Sequence, residues 1–156
     1  MGLKNSEHIG KIIIHPENED VVYVAAIGPL WSSGGDRGVY KTTDGGENWT
    51  KLESGLPQGS LVRPGLAMFE GNPDVVYSIF VHDNQDTICS PGYHLEGVYK
   101  TADAGQSWTE IATGEETGLP CGVLGGFGWY FGQLRVHPQN EDELYILGVD
   151  LYRTQD

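Results

Sequence analysis

Short apolar runs broken by turn residues set the pattern of this chain. Residues 11–14 and 21–27 are near-continuous apolar runs on either side of Pro16-Glu17-Asn18-Glu19-Asp20. Runs of this length, bounded by turn signals, predict strands covered on both faces. Residues 38–42 and 49–52 follow; they are shorter and more polar, and predict outer strands. No window carries a sustained 3.6-residue apolar period, which excludes a helical solenoid. No apolar run approaches the roughly 20 residues of a membrane-spanning helix.

The pattern then recurs. Gly38-Val39-Tyr40-Lys41-Thr42-Thr43-Asp44-Gly45-Gly46-Glu47-Asn48-Trp49-Thr50 returns as Gly97-Val98-Tyr99-Lys100-Thr101-Ala102-Asp103-Ala104-Gly105-Gln106-Ser107-Trp108-Thr109, and a third copy opens at Leu151-Tyr152-Arg153-Thr154. Ahead of each lies an apolar strand, a polar Asn/Asp turn and a second strand ending in Tyr: Ile14 to Tyr23, Met68 to Tyr77, and Val136 to Tyr145. Four antiparallel strands per unit, repeated radially, predict an all-β fold of four-stranded β-propeller blades. The units are expected at about 9–54 and 63–112, with the start of a third at about 132–156. That is about two and a half blades, a partial propeller. Because a closed propeller has at least about four, the chain is expected to be part of a longer propeller, or else to close with other copies. Open strand edges invite aggregation, which favours the former.

The Thr-x-Asp-x-Gly-x-x-Trp pattern falls where the third strand turns into the fourth. Glycine there permits positive φ, an Asp carboxylate accepts turn N–H groups, and Trp gives a broad apolar plate to wedge between blades. Thr42, Asp44, Gly46 and Trp49, and likewise Thr101, Asp103, Gly105 and Trp108, are therefore expected to be structural, with no catalytic role. These two segments resemble Asp-boxes, or BNR repeats, found in sialidases, xyloglucanase-type glycoside hydrolases and sortilin/VPS10-like propellers. The stretch from Ile9 to Leu52, with Gly28-Pro29-Leu30-Trp31 before Arg37-Gly38-Val39-Tyr40, is most similar to bacterial sortilin/VPS10-like repeat proteins. Gly126-Phe127-Gly128-Trp129-Tyr130-Phe131-Gly132 resembles the approach to a later blade of that family.

Charge narrows the partners. With 9 Lys+Arg against 22 Asp+Glu the formal net charge is −13, which argues against nucleic acid and against insertion at an anionic membrane. Residues 1–7 carry no apolar stretch of the sort a secretory leader has. The resemblance to exported propellers nevertheless implies an extracellular or periplasmic setting for the parent protein.

In an up-and-down blade the short turns share one end and the long connections the other. The long loops, 25–36, 53–63, 78–96 and 110–129, are expected to form the ligand face. That face would carry Trp31, Arg37, His82, Asp83, Asp86, Tyr93, His94, Glu96, Trp129 and Tyr130. Aromatic groups there suit a sugar ring or a peptide; their other use is to anchor the loops themselves. His82-Asp83 and His94-Leu95-Glu96 lack a diagnostic metal spacing, and no metal or cofactor is expected. His15 and His137 occupy equivalent turns and are expected to be repeat architecture. Cys89 and Cys121 fall in long loops, either as free thiols or as a bridge closing about 32 residues, with about 3–4 kcal/mol to gain; the resemblance to exported propellers implies the bridge.

Three functions compete. The resemblance implies a non-catalytic binding propeller of sortilin/VPS10-like type, with a peptide or glycan ligand and the remaining blades, or other copies, as partners. The alternative is part of a xyloglucanase-like glycoside hydrolase acting on a polysaccharide. Such chemistry needs two carboxylates about 5–5.5 Å or about 6.5–9.5 Å apart, and no spacing pairs Asp36, Asp83, Asp86 or Glu96. A scaffold without a small ligand is the third. The chain by itself is expected not to be an enzyme.

Overall fold

The structure is a computed structural model and describes residues 2–32, 34–59, 61–82, 92–112, 119 and 121–154. Among the described residues, eleven strands form three antiparallel sheets, with neighbours in each sheet in chain order. Sheet 1 holds β1 (Ile9–His15), β2 (Asn18–Ala26), β3 (Gly38–Thr42) and β4 (Thr50–Leu52). Sheet 2 holds β5 (Leu61–Met68), β6 (Val76–His82), β7 (His94–Thr101) and β8 (Thr109–Ala112). Sheet 3 holds β9 (Gln133–His137), β10 (Asn140–Leu147) and β11 (Leu151–Arg153). A short 3-10 turn, Cys121–Leu124, precedes sheet 3. No helix among the described residues is long and apolar enough to cross a membrane. The molecule is an all-β partial propeller.

Sheet 2 lies between the other two, with β5 against both β1 and β9. The two-residue side-chain period of β6 explains the packing. Val76 and Phe80 point to sheet 1, where they join Tyr23, Ala25, Val39, Leu66, Tyr99 and Trp108 in one core. Tyr77, Ile79 and Val81 point to sheet 3, where they join Val98, Leu134, Leu144 and Ile146 in the other. All five of these β6 side chains are at most 1% exposed.

The same polar stitch ties each sheet to the next. The Tyr23 hydroxyl donates to the Ala104 carbonyl at 2.8 Å, and the Lys41 ammonium donates to that carbonyl at 2.7 Å while lying 5.2 Å from the Tyr23 ring centroid. One sheet on, the Tyr77 hydroxyl donates to the Glu141 carbonyl at 2.7 Å, and Lys100 lies 5.5 Å from the Tyr77 ring and 2.9 Å from Asp142. Burial first, then the Asp74 and Asp103 charges, push the Tyr23 phenol up to about 12, so it stays a neutral donor. Each hydrogen bond contributes on the order of 1 kcal/mol net. Burying a large apolar side chain contributes about 1.5–3 kcal/mol, so the rings supply most of the adhesion and the polar groups set the register.

Coverage varies from sheet to sheet. β1 is not enclosed: Ile12 and Ile14 are 58% and 60% exposed at the edge of sheet 1, while Val24, Ala26 and Tyr40 on the same face are buried. β7 is not short; its eight residues are mostly buried, polar ones included, because sheet 2 has a neighbour on each side. Ile146 is 1% exposed and packs towards sheet 2, while Tyr145 and Leu147 on the opposite face remain half-buried.

Trp108 and Trp49 occupy equivalent positions with different neighbours. Trp108 is 5% exposed against sheet 1, and its backbone N–H donates to Ser54 O at 3.0 Å. The chain crosses it at Gly55, where φ is +82° and a Cβ would sit 1.9 Å from the Trp108 carbonyl oxygen. Trp49 is half-buried, its indole N–H on Gly46 O at 3.1 Å. In dilute protein, Trp108→Ala is expected to cost about 3–5 kcal/mol by the usual price of a large buried ring, and Trp49→Ala well under that. Urea midpoints at constant m-value measure both; equal losses would contradict the burial difference.

Candidate functional site

The two ends of the sheets are built differently. At one end the turns are short and internally bonded. The Thr42 hydroxyl donates to Asp44 Oδ1 at 2.7 Å and accepts from the Gly46 N–H at 3.0 Å. Asp44 in turn accepts the Asn48 N–H at 2.9 Å and its amide NH2 at 2.7 Å. In the second turn Thr101 Oγ1 meets Asp103 Oδ1 at 2.7 Å and the Gly105 N–H at 3.0 Å, and Asp103 accepts from the Ser107 N–H at 2.9 Å and hydroxyl at 2.6 Å. Both carboxylates are thus occupied by their own turns. The β1–β2 and β5–β6 turns sit beside them, with Gly45 N–H on Asp20 O and Ala104 N–H on Asp74 O, each at 3.0 Å. His15 and His137 belong to these short turns as well: each Nδ1 accepts the N–H two residues on, from Glu17 at 3.1 Å and Gln139 at 3.2 Å.

The opposite end carries the long loops. A cavity of about 540 Å³ opens there between sheets 1 and 2, lined by Trp31, Arg37, Lys51, Gln58, Leu61 and Tyr93, among others. Trp31 is 83% exposed, and its ring centroid lies 5.7 Å from that of Trp129. Trp129 lies 5.6 Å from Tyr130, which is 62% exposed. Three of the expected aromatics therefore come together as one row, an aromatic rim exposed at Trp31 and Tyr130 and half-buried at Trp129 between them, and Tyr93 joins the cavity wall. Tyr93 also anchors its neighbour: its N–H donates to Gly126 O at 3.2 Å, and its carbonyl accepts from the Gly128 N–H at 3.1 Å.

Two arginines hold this rim in place. Arg37 spends its donors on backbone carbonyls: Gly34 at 3.2 Å, Leu61 at 3.2 Å, Val62 at 2.7 Å, Ser32 at 2.8 Å, and Pro29. That fork joins the Trp31 loop to β5 and leaves the guanidinium no free direction. Arg63 does the same for the next loop, donating to Trp129 O at 3.2 Å and Tyr130 O at 2.8 Å. Burial pushes both guanidinium groups downward from their usual range, but an arginine stays charged in proteins. Nothing in the sequence marks Arg63 for this role, because its acceptors are carbonyls that any residue provides.

His94 and Glu96 stand apart, on β7. His82 Nε2 lies 3.8 Å from Glu96 Oε2, and the His82 and His94 rings are 6.4 Å apart. Among the described residues no group of three or more His, Cys, Asp or Glu side chains could hold a metal ion. Asp83, Asp86 and Cys89, and with Cys89 the Cys89–Cys121 pairing, lie outside the described residues. The described cavity lining includes no carboxylate.

No protein-family model matches the sequence, and no curated protein matches it. Solved structures do. The chain is similar over 94% of its length to an ancestral GH74 enzyme, at 20% identity and a TM-score of 0.58, covering 17% of that chain. It is similar over 94% to the GH74 xyloglucanase from Xanthomonas campestris, at 16% identity and a TM-score of 0.60, covering 20% of that chain. It is similar over its whole length to YCF48 bound to D1 peptide, at 16% identity and a TM-score of 0.57, covering 40% of that chain. At such identity the likeness is one of fold, and the chain spans between 17% and 40% of the length of these proteins.

The two turn carboxylates make a pH signature. Asp44 is held at about 2, chiefly by the Asn48 N–H and then its side chain and Thr42; Asp103 is held at about 2, chiefly by the Ser107 hydroxyl, then its N–H and Thr101. A depressed carboxylate stabilises the fold fully above its unfolded value, 3.8 for Asp, and loses that contribution as pH falls towards the folded value. The melting temperature is therefore expected to fall between about pH 4 and pH 2. In the double variant Asp44→Asn with Asp103→Asn it starts lower and falls less over that window. Thermal melts across the window check this; parallel curves for the two proteins would contradict it.

Proposed function

We propose that this chain is a non-catalytic, ligand-binding segment of a β-propeller of the sortilin/VPS10-like type, with its two Thr-x-Asp-x-Gly-x-x-Trp turns acting as Asp-boxes. The ligand is an extended peptide laid over the long-loop end, and the setting is extracellular or periplasmic. The observation that carries this reading is the row of Trp31, Trp129 and Tyr130, with Trp31 on the cavity wall and Trp31 and Tyr130 exposed, its backbone held by Arg37 and Arg63. Aromatic side chains fixed in advance contribute large contact area at low entropic cost, as binding hot spots do. The likeness to YCF48 bound to D1 peptide supports a peptide as the ligand class. With a net charge of −13, a neutral or basic peptide is favoured.

One observation favours a second reading. Trp31 offers an exposed indole to a sugar ring, with Trp129 beside it, and the chain also resembles parts of GH74 enzymes. On that reading the rim is a polysaccharide subsite of a glycoside hydrolase, with the acid and base supplied elsewhere.

A peptide array and a xyloglucan oligosaccharide, titrated against the same protein, separate the two. The proposal expects neutral or basic peptides to bind and Trp31→Ala to weaken them by about tenfold or more. The melting temperature should not move, because Trp31 is 83% exposed. Oligosaccharide binding without peptide binding favours the second reading. Peptide binding that ignores both Trp31→Ala and Trp129→Ala overturns the assignment of the rim.

A further inference from the structure

Each sheet has two faces, and the repeat gives each face its own job. One face receives the sheet before it. In sheet 2 this is Leu66, Val76, Phe80, Tyr99 and Trp108, all buried against sheet 1. The other reaches forward with a tyrosine and a cation: Tyr23 with Lys41 onto Ala104 O, and Tyr77 with Lys100 onto Glu141 and Asp142. The acceptors lie in or beside the short turns of the receiving sheet, Ala104 between β7 and β8 and Glu141 and Asp142 at the start of β10.

Sheet 3 carries the forward pair a third time, as Tyr145 and Arg153, with the guanidinium 6.0 Å from the ring centroid. Here the pair is folded back on its own sheet. The Tyr145 hydroxyl donates to Glu143 Oε1 at 2.5 Å, and Arg153 Nε lies 2.9 Å from the same oxygen. Leu151, on the same face, is 66% exposed where its counterparts Val39 and Val98 are 0% and 1%. At the far side of the molecule, the receiving face of sheet 1 is open along β1 and half-open at Trp49, while Val24, Ala26 and Tyr40 on the same face are buried. Ile12 is 58% exposed where its counterpart Leu66 is 2%, and Trp49 is half-buried where Trp108 is 5%. Beside that face stand Asp20, the counterpart of Asp74 and Asp142, and Gly45, the counterpart of Ala104.

The two open faces are a forward key and a receiving lock of the same repeat. We propose that the Tyr145–Arg153 face of sheet 3 docks on the Ile12, Trp49 and Asp20 face of sheet 1 in a second copy of this chain. In that contact Tyr145 donates to a turn carbonyl at or near Gly45, Arg153 leaves Glu143 for Asp20, and Leu151 covers Ile12. The contact is head-to-tail, so it either closes into a ring or grows. Two copies bring six sheets, within the usual range of about four to eight for a closed propeller. The proposal concerns the sides of the sheets and stands independently of the ligand assigned to the long-loop end.

A charge swap tests it. Sedimentation of the wild-type chain over a concentration series is expected to give a mass that rises above the monomer. Arg153→Glu alone faces Asp20, and Asp20→Lys alone faces Arg153, so each variant by itself is expected to associate about tenfold or more weakly. Mixed one to one, the two variants oppose Glu to Lys at one contact and Arg to Asp at the other, and association is expected to return. Recovery on mixing also shows that both variants are folded. A wild-type chain that is monomeric at every concentration overturns the proposal and assigns the faces to further sheets of the same polypeptide. Single variants that associate as strongly as wild type overturn it as well.

Discussion

The contact on which the structure depends is the seating of β6 between two other sheets. A four-stranded sheet with apolar side chains on both faces cannot bury either face alone, and β6 alternates Val76 and Phe80 on one side with Tyr77, Ile79 and Val81 on the other. Sheet 2 is therefore complete only with a neighbour on each side. Tyr77 makes the dependence specific, because its ring is buried in one core while its hydroxyl reaches a carbonyl of sheet 3. A slip of one residue would turn the phenol to the wrong face and leave a buried polar group without its acceptor. Apolar burial drives the sheets together, and the tyrosine fixes where they stop.

That arrangement explains the unequal ends of the molecule. The short turns sit next to the stitches, so their own hydrogen bonds must hold them rigid, and Asp44 and Asp103 do this by accepting from the residues four positions on. The described parts of the long loops are also tied to the sheets. Arg37 and Arg63 supply these ties, each joining β5 to a loop through two or more carbonyls. The aromatic rim is therefore held without the use of its own side-chain polar groups, and Trp31 and Tyr130 stay open to solvent.

Much of the architecture was legible in the sequence because the repeat is written in residue types. Val39-Tyr40-Lys41-Thr42 and Val98-Tyr99-Lys100-Thr101 carry strand alternation, stitch and turn in the same four positions. What the sequence could not carry was coverage. Ile12 and Leu66 are equivalent in pattern, yet one is exposed and the other buried, because burial depends on a neighbouring sheet and not on the run itself. At the site the meeting of Trp31 with Trp129 joins residues far apart in the chain and has no local signal. The clamp role of Arg37 and Arg63 is illegible for another reason: backbone carbonyls have no sequence.

The placement of the cations finally accounts for the character of the loop end. Of nine Lys and Arg residues, Lys41, Lys100 and Arg153 sit over tyrosine rings, and Arg37 and Arg63 bind loop carbonyls. More than half of the positive charge is thus committed to internal acceptors, while most of the 22 acidic groups have no cation to meet. An exposed ion pair is worth little, with a median near 0–1 kcal/mol, so the remaining imbalance costs the fold little and acts mainly at a distance. It repels anions from the whole surface. Contact at the rim must then come from ring faces and shape, which is what Trp31, Trp129 and Tyr130 provide.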